Sequence, residues 1–115
     1  MTGIKKLTEE IKKFRDERDW MQFHNHKDMA ISLVLEAAEV LEYFQWKSLE
    51  EIEEYVKTNK EEIGEELADV AIYLFELADN IGVDLEEAME KKLAKNAKKY
   101  PAEKAKSKHT KYNKL

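Results

Sequence analysis

The segment that most restricts this chain is residues 28–46, whose apolar side chains point almost everywhere. On a helix turning about 100° per residue, Met29, Ile31, Leu33, Val34, Leu35, Val40, Leu41 and Phe44 cover nearly every direction and leave one narrow stripe of Ser32, Glu36, Glu39 and Tyr43. A helix apolar nearly all round is normally enclosed by neighbours. Glu36 and Glu39 therefore emerge inside a largely buried element, where ionised carboxylates are unfavourable unless compensated. A second helix, expected over about residues 59–81, repeats the pattern. Glu62, Glu66, Asp69 and Tyr73 share one face, while Ile63, Leu67, Val70, Ala71, Leu74, Leu77 and Ala78 take the others. Side chains three apart lie on one helix face, so each helix offers a carboxylate pair, and two facing pairs make a four-oxyanion cluster. Glu62 and Glu76 read as ordinary solvated acids at the outer ends of the stripe.

Four converging carboxylates repel one another and partly protonate unless a cation sits among them. Hard divalent ions prefer oxygen ligands, and magnesium, with manganese as a substitute, is the expected occupant of Glu36, Glu39, Glu66 and Asp69. Magnesium usually keeps waters and takes substrate phosphates as further ligands, which points to phosphate chemistry. A di-iron bundle would instead want Glu-x-x-His pairs, and both second positions, Glu39 and Asp69, are carboxylates. The plain alternative is that these acids form solvated faces; the apolar surround of Glu36 and Glu39 argues against it.

The rest of the chain is read as helical. Three glycines, one proline and abundant Ala, Leu, Glu and Lys among 115 residues favour long amphipathic helices over strands. Ile4, Leu7, Ile11 and Phe14 recur at helical spacing, giving a first helix over about residues 4–20. Residues 21–27 connect it to a helix over 28–46, with Asn25 or Asp28 as the cap. Ser48 to Glu51, Thr58 to Glu61 and Asp84 to Glu87 are capping-box patterns, opening helices near 49–56, 59–81 and 84–99, with Gly82 as a left-handed stop. The expected fold is all-α, with one domain over residues 1–102 and a flexible lysine-rich tail over 103–115. The absence of cysteine removes disulfides and thiolate catalysis and fits a reducing compartment. No signal peptide or spanning segment is read, so a cytoplasmic location without membrane contact is expected. Residues 91–115 carry ten lysines against one acid, whereas residues 1–90 carry ten basic residues against 24 acids. An acidic body with a basic end argues against stable nucleic-acid binding and suits a site with metal on one side and polyphosphate on the other.

Glu36-Ala37-Ala38-Glu39 followed by Glu66-Leu67-Ala68-Asp69 resembles the ExxE…ExxD signature of the MazG-like superfamily. The segments Arg15 to His24, Leu41 to Trp46, Glu65 to Leu74 and Asn96 to Pro101 extend the likeness to its dCTP pyrophosphatase branch, covering about residues 4–102. The resemblance implies a four-helix-type fold assembled as a homodimer or homotetramer. It implies hydrolysis of a nucleoside triphosphate, dCTP or a related pyrimidine deoxynucleotide, to the monophosphate and pyrophosphate. It also implies that Glu36, Glu39, Glu66 and Asp69 are the magnesium ligands, that Trp20, His24 and Trp46 lie near the nucleoside, that Tyr73 lies beside the metal cluster, and that Lys92, Asn96, Lys99 and Tyr100 contact polyphosphate. Ile11 departs from relatives that carry a polar residue in that part of the first helix, which leaves the base choice open.

The chemistry follows from the residue types as well. An activated water can attack the α-phosphorus in line with the leaving pyrophosphate, and Glu36 or Glu39 is the candidate catalytic residue for orienting it. Trp20 and Trp46 offer flat faces for base stacking, although a tryptophan in a small helical protein also serves as core or interface. His24 alone reads as a loop or capping histidine, and the lysines near residue 99 can simply complement a helix dipole. Two other functions remain: dUTP or broad-specificity triphosphate hydrolysis, and a non-catalytic helical dimerisation module. The helix over 28–46 is apolar on more faces than a monomer of this size easily covers, so a homo-oligomer is expected.

Overall fold

The computed structural model describes residues 3–107. Six α-helices follow in order: α1 (Gly3–Glu17), α2 (His26–Glu42), α3 (Leu49–Thr58), α4 (Lys60–Ile81), α5 (Leu85–Lys99) and the single turn α6 (Ala102–Ala105). A one-turn 3₁₀ helix, Met21–Phe23, lies between α1 and α2. No strand occurs among the described residues, so the fold is all-α. No helix among them is long and apolar enough to cross a membrane. The chain divides into two compact units, one ending at Gly82 and one beginning at Val83. The expected flexible tail falls partly on residues 108–115, outside the described residues; its first part holds the turn α6.

In the first unit α4 is the central rod, with α2, α1 and α3 packed on it and α2 making the most extensive contact. Few side chains among the described residues are buried: Met29, Ile63 and Ala78, together with the polar Thr8, Arg15 and Glu76. Val34, Leu35 and Leu41 on α2 and Leu67 on α4 remain more than half exposed.

Local chemistry sets the element ends. The Asn25 side chain accepts the Asp28 N–H at 2.8 Å, starting α2 two residues earlier than expected. At the other end α2 stops at Glu42, not Trp46. The Phe44 N–H bonds the Leu41 carbonyl, tightening the last turn, and Trp46 then reverses the chain at φ +69°. Ser48 and Glu51 form the expected capping box, the Ser48 hydroxyl accepting the Glu51 N–H at 3.2 Å and the Glu51 carboxylate accepting the Ser48 N–H at 3.0 Å. The box expected at Thr58 is absent. Thr58 is the last residue of α3, its hydroxyl is turned back to the Glu54 carbonyl, and Asn59 both closes α3 and opens α4. An adjacent helix end claims the hydroxyl that the local pattern assigned to a start. Gly82, at φ +87°, ends α4, and the Asp84 side chain accepts the Glu87 N–H at 3.0 Å to open α5.

Candidate metal and nucleotide site

Packing α2 on α4 turns the two acidic stripes toward each other. Carboxylate oxygens of Glu36, Glu39 and Glu66 lie within 4.8 Å of one another. Asp69, the fourth expected ligand, is not within that group, but its charge acts on both Glu36 and Glu66. Glu36 Oε2 and Glu66 Oε2 are buried and make no hydrogen bond. A buried acceptor without a donor is unusual in a folded protein.

The electrostatics say the same. Burial pushes the Glu36 carboxyl above its ordinary range, helped by a hydrogen bond with Glu39 and by the charges of Glu39, Asp69 and Glu66. Glu66 is raised first by a hydrogen bond with Glu39, then by burial and the charges of Glu39, Asp69 and Glu65. Carboxylates crowded in this way are stabilised by a positive charge placed among them. An oxygen-only donor set with partnerless buried oxygens fits a hard divalent cation. Tyr43, not singled out as a site residue from the sequence, also feels these acids. Its hydroxyl is raised by burial and by Glu66, Glu62, Tyr55 and Glu39, and its ring packs on Tyr55 at 5.9 Å. Tyr73 is half-buried on α4.

The aromatic candidates lie outside the core. Trp46 is 92% exposed. Trp20, partly exposed, packs edge-on against Phe14 at 5.7 Å, and the Arg18 guanidinium lies 3.7 Å from the Phe14 ring centroid. Lys92, Asn96 and Lys99 share one face of α5 by their spacing, and the Tyr100 N–H bonds the Asn96 carbonyl at 2.8 Å. These four belong to the second compact unit.

One acid corrects the sequence reading. Glu76 is not solvated: it is 3% exposed. Its Oε2 lies 2.7 Å from His24 Nδ1, accepts from Asn80 Nδ2 at 3.1 Å and lies 3.6 Å from an Arg15 terminal nitrogen. Arg15 also donates to Asn80 Oδ1 at 3.2 Å and, through Nε, to Asp16 Oδ1 at 2.8 Å. A signal for this exists in the spacing, because Glu66, Asp69, Tyr73, Glu76 and Asn80 continue one face of α4 in steps of three and four.

Residues 31–115 match the MazG-like family. The chain belongs to that family. It is 40% identical over 104 residues to dCTP pyrophosphatase 1 of Homo sapiens, and equally so to that of Mus musculus; each match covers 89% of this chain. The MazG-like chain spans 61% of the length of those two relatives. A crystal structure of a pyrophosphatase from Archaeoglobus fulgidus superposes with a TM-score of 0.82 at 40% identity, covering 88% of this chain and 94% of that one.

Proposed function

We propose that this MazG-like chain is a magnesium-dependent nucleoside triphosphate pyrophosphohydrolase acting on dCTP or a related pyrimidine deoxynucleotide. The observation that carries the reading is the convergence of Glu36, Glu39 and Glu66 with two buried, partnerless oxygens, in a chain similar to two dCTP pyrophosphatases. Glu36, Glu39, Glu66 and Asp69 would hold magnesium, or manganese in its place. The ion would supply charge neutralisation for the triphosphate and a Lewis acid beside the α-phosphorus.

The chain's own residues supply the rest. Glu36, whose carboxyl burial pushes above its ordinary range, or Glu39 orients the attacking water. Trp20 and Trp46 provide stacking faces for the base, and His24 a polar contact beside them. Lys92, Asn96, Lys99 and Tyr100 act on the polyphosphate, where a lysine stabilises charge on the departing pyrophosphate. Tyr73 lies beside the cluster as a further contact. The uncovered apolar side chains Val34, Leu35 and Leu41 of α2 support assembly as a homodimer or homotetramer. The absence of cysteine accords with a cytoplasmic setting.

The deciding experiment is pyrophosphate release from dCTP, 5-substituted dCTP, dUTP and the common NTPs, with and without magnesium. Metal-dependent release with a pyrimidine deoxynucleotide preference is expected. Preference for dUTP or equal rates on all nucleotides would replace the substrate, and no release from any of them would leave a non-catalytic helical module.

A further inference from the structure

A buried polar group with three partners lies outside the carboxylate cluster. Glu76, on α4, is almost completely buried and meets His24, Asn80 and Arg15 through one oxygen. Arg15, in the last turn of α1, and His24, two residues before α2, flank the short connection between the two helices. At its start the Arg15 carbonyl accepts from the Arg18 and Trp20 N–H groups at 3.2 and 3.1 Å, and Asp19 adopts φ +54°. At its end the His24 N–H bonds the Met21 carbonyl at 3.0 Å. Between them Trp20, Met21 and Phe23 are 43%, 45% and 62% exposed. A connection that displays three large apolar side chains has little burial of its own to fix it. The buried Glu76 side chain contacts a residue on either side of it.

The same contact fixes a ring. Glu76 Oε2 also accepts from Asn80 Nδ2 and faces the Arg15 guanidinium, so in the 2.7 Å contact His24 Nδ1 is the donor. His24 Nε2 has no hydrogen-bond partner among the described residues, and the side chain keeps 19% exposure. A histidine held through one nitrogen presents the other in a fixed direction.

We propose that Glu76 is a positioning residue for nucleotide binding: it ties the last turn of α1, through Arg15, to the far side of the α1–α2 connection and fixes the His24 imidazole through Nδ1, so that Nε2 is the ring atom offered to the nucleoside. This inference rests on the function proposed above. Within it, Glu76 acts only through His24 and the connection, more than two residues from any proposed metal ligand.

The test has two independent arms. In the protein free of nucleotide and metal, long-range ¹⁵N–¹H spectra of His24 are expected to show a protonated Nδ1 that becomes averaged in Glu76→Gln; a protonated Nε2 with bare Nδ1 in the unmodified chain overturns the proposal. Kinetically, Glu76→Gln is expected to raise KM about tenfold with the magnesium dependence of turnover unchanged. Because Glu76 acts through His24, adding it to His24→Ala should raise KM no further. Additive effects, or a lowered Tm with unchanged KM, mean a structural role only and overturn it. If Glu76→Gln does not fold, His24→Ala, which leaves the Arg15–Glu76 pair intact, must itself raise KM; an unchanged value overturns the proposal. Failure of the parent reading is seen first and separately, as absence of pyrophosphate release by the unsubstituted chain.

Discussion

At the residue scale the carboxylates oppose folding in the absence of a cation. Glu39 sits between Glu36 and Glu66, so Glu39→Gln removes one charge from a repulsive group. It is expected to leave the metal-free Tm unchanged or higher while reducing metal-dependent pyrophosphate release by at least about a hundredfold; full activity would remove Glu39 from the site. The pH dependence has a definite sign. Glu36 and Glu66 lie above the ordinary 4.5 in the folded chain and return to it on unfolding. Between 4.5 and the raised values the folded state therefore binds more protons. In EDTA, this contribution makes stability rise as pH falls from neutral through the raised values and level off near 4.5. Asp16 and Glu51, held low by hydrogen bonds from Arg15 and Ser48, act oppositely and only below their ordinary range. Melting temperatures across pH 5 to 7.5 should show this rise, flattened in Glu36→Gln; identical slopes in both proteins would contradict it. Trp46 carries strain of another kind, since φ +69° is unfavourable for a bulky residue. Trp46→Gly should gain up to about 1 kcal/mol of stability while raising KM for nucleotide, checked by paired denaturation and kinetic curves.

At the scale of elements, Gly82→Ala is expected to destabilise by about 1 kcal/mol. Nothing lies within 4 Å of the added Cβ, so the loss comes from the backbone alone and should appear in the urea midpoint. Gly82, Ser48 with Glu51, Asn25 and Asp84 were legible in the sequence because each cap joins residues at most three apart. The convergence of Glu36, Glu39 and Glu66 was legible for a related reason: a carboxylate stripe inside an apolar helix must meet something. The end of α2 was not legible, because its reversal falls on Trp46, a residue that gives no turn signal. Nor was the Thr58–Asn59 junction, where two helices compete for the same side chains. Glu76 escaped because the spacing shows only that it continues the acidic face of α4 toward Asn80, while Arg15 and His24, which complete its surroundings, arrive from far away in the chain.

At the scale of the whole molecule, a single chain leaves Ile31, Val34 and Leu35 around a shallow hollow of about 340 Å³ on α2. Covering it with a second copy is expected to give a dimer or larger assembly in sedimentation velocity, and Val34→Glu is expected to shift that assembly toward monomer. A monomeric unsubstituted chain at micromolar concentration would contradict the assignment. The helix bearing this hollow also bears Glu36 and Glu39, and a helix is a stiff rod: support lost on one side loosens what is fixed on the other. Catalytic output per molecule would then depend on how many copies are present, so specific activity should drop on dilution before any loss of helical content.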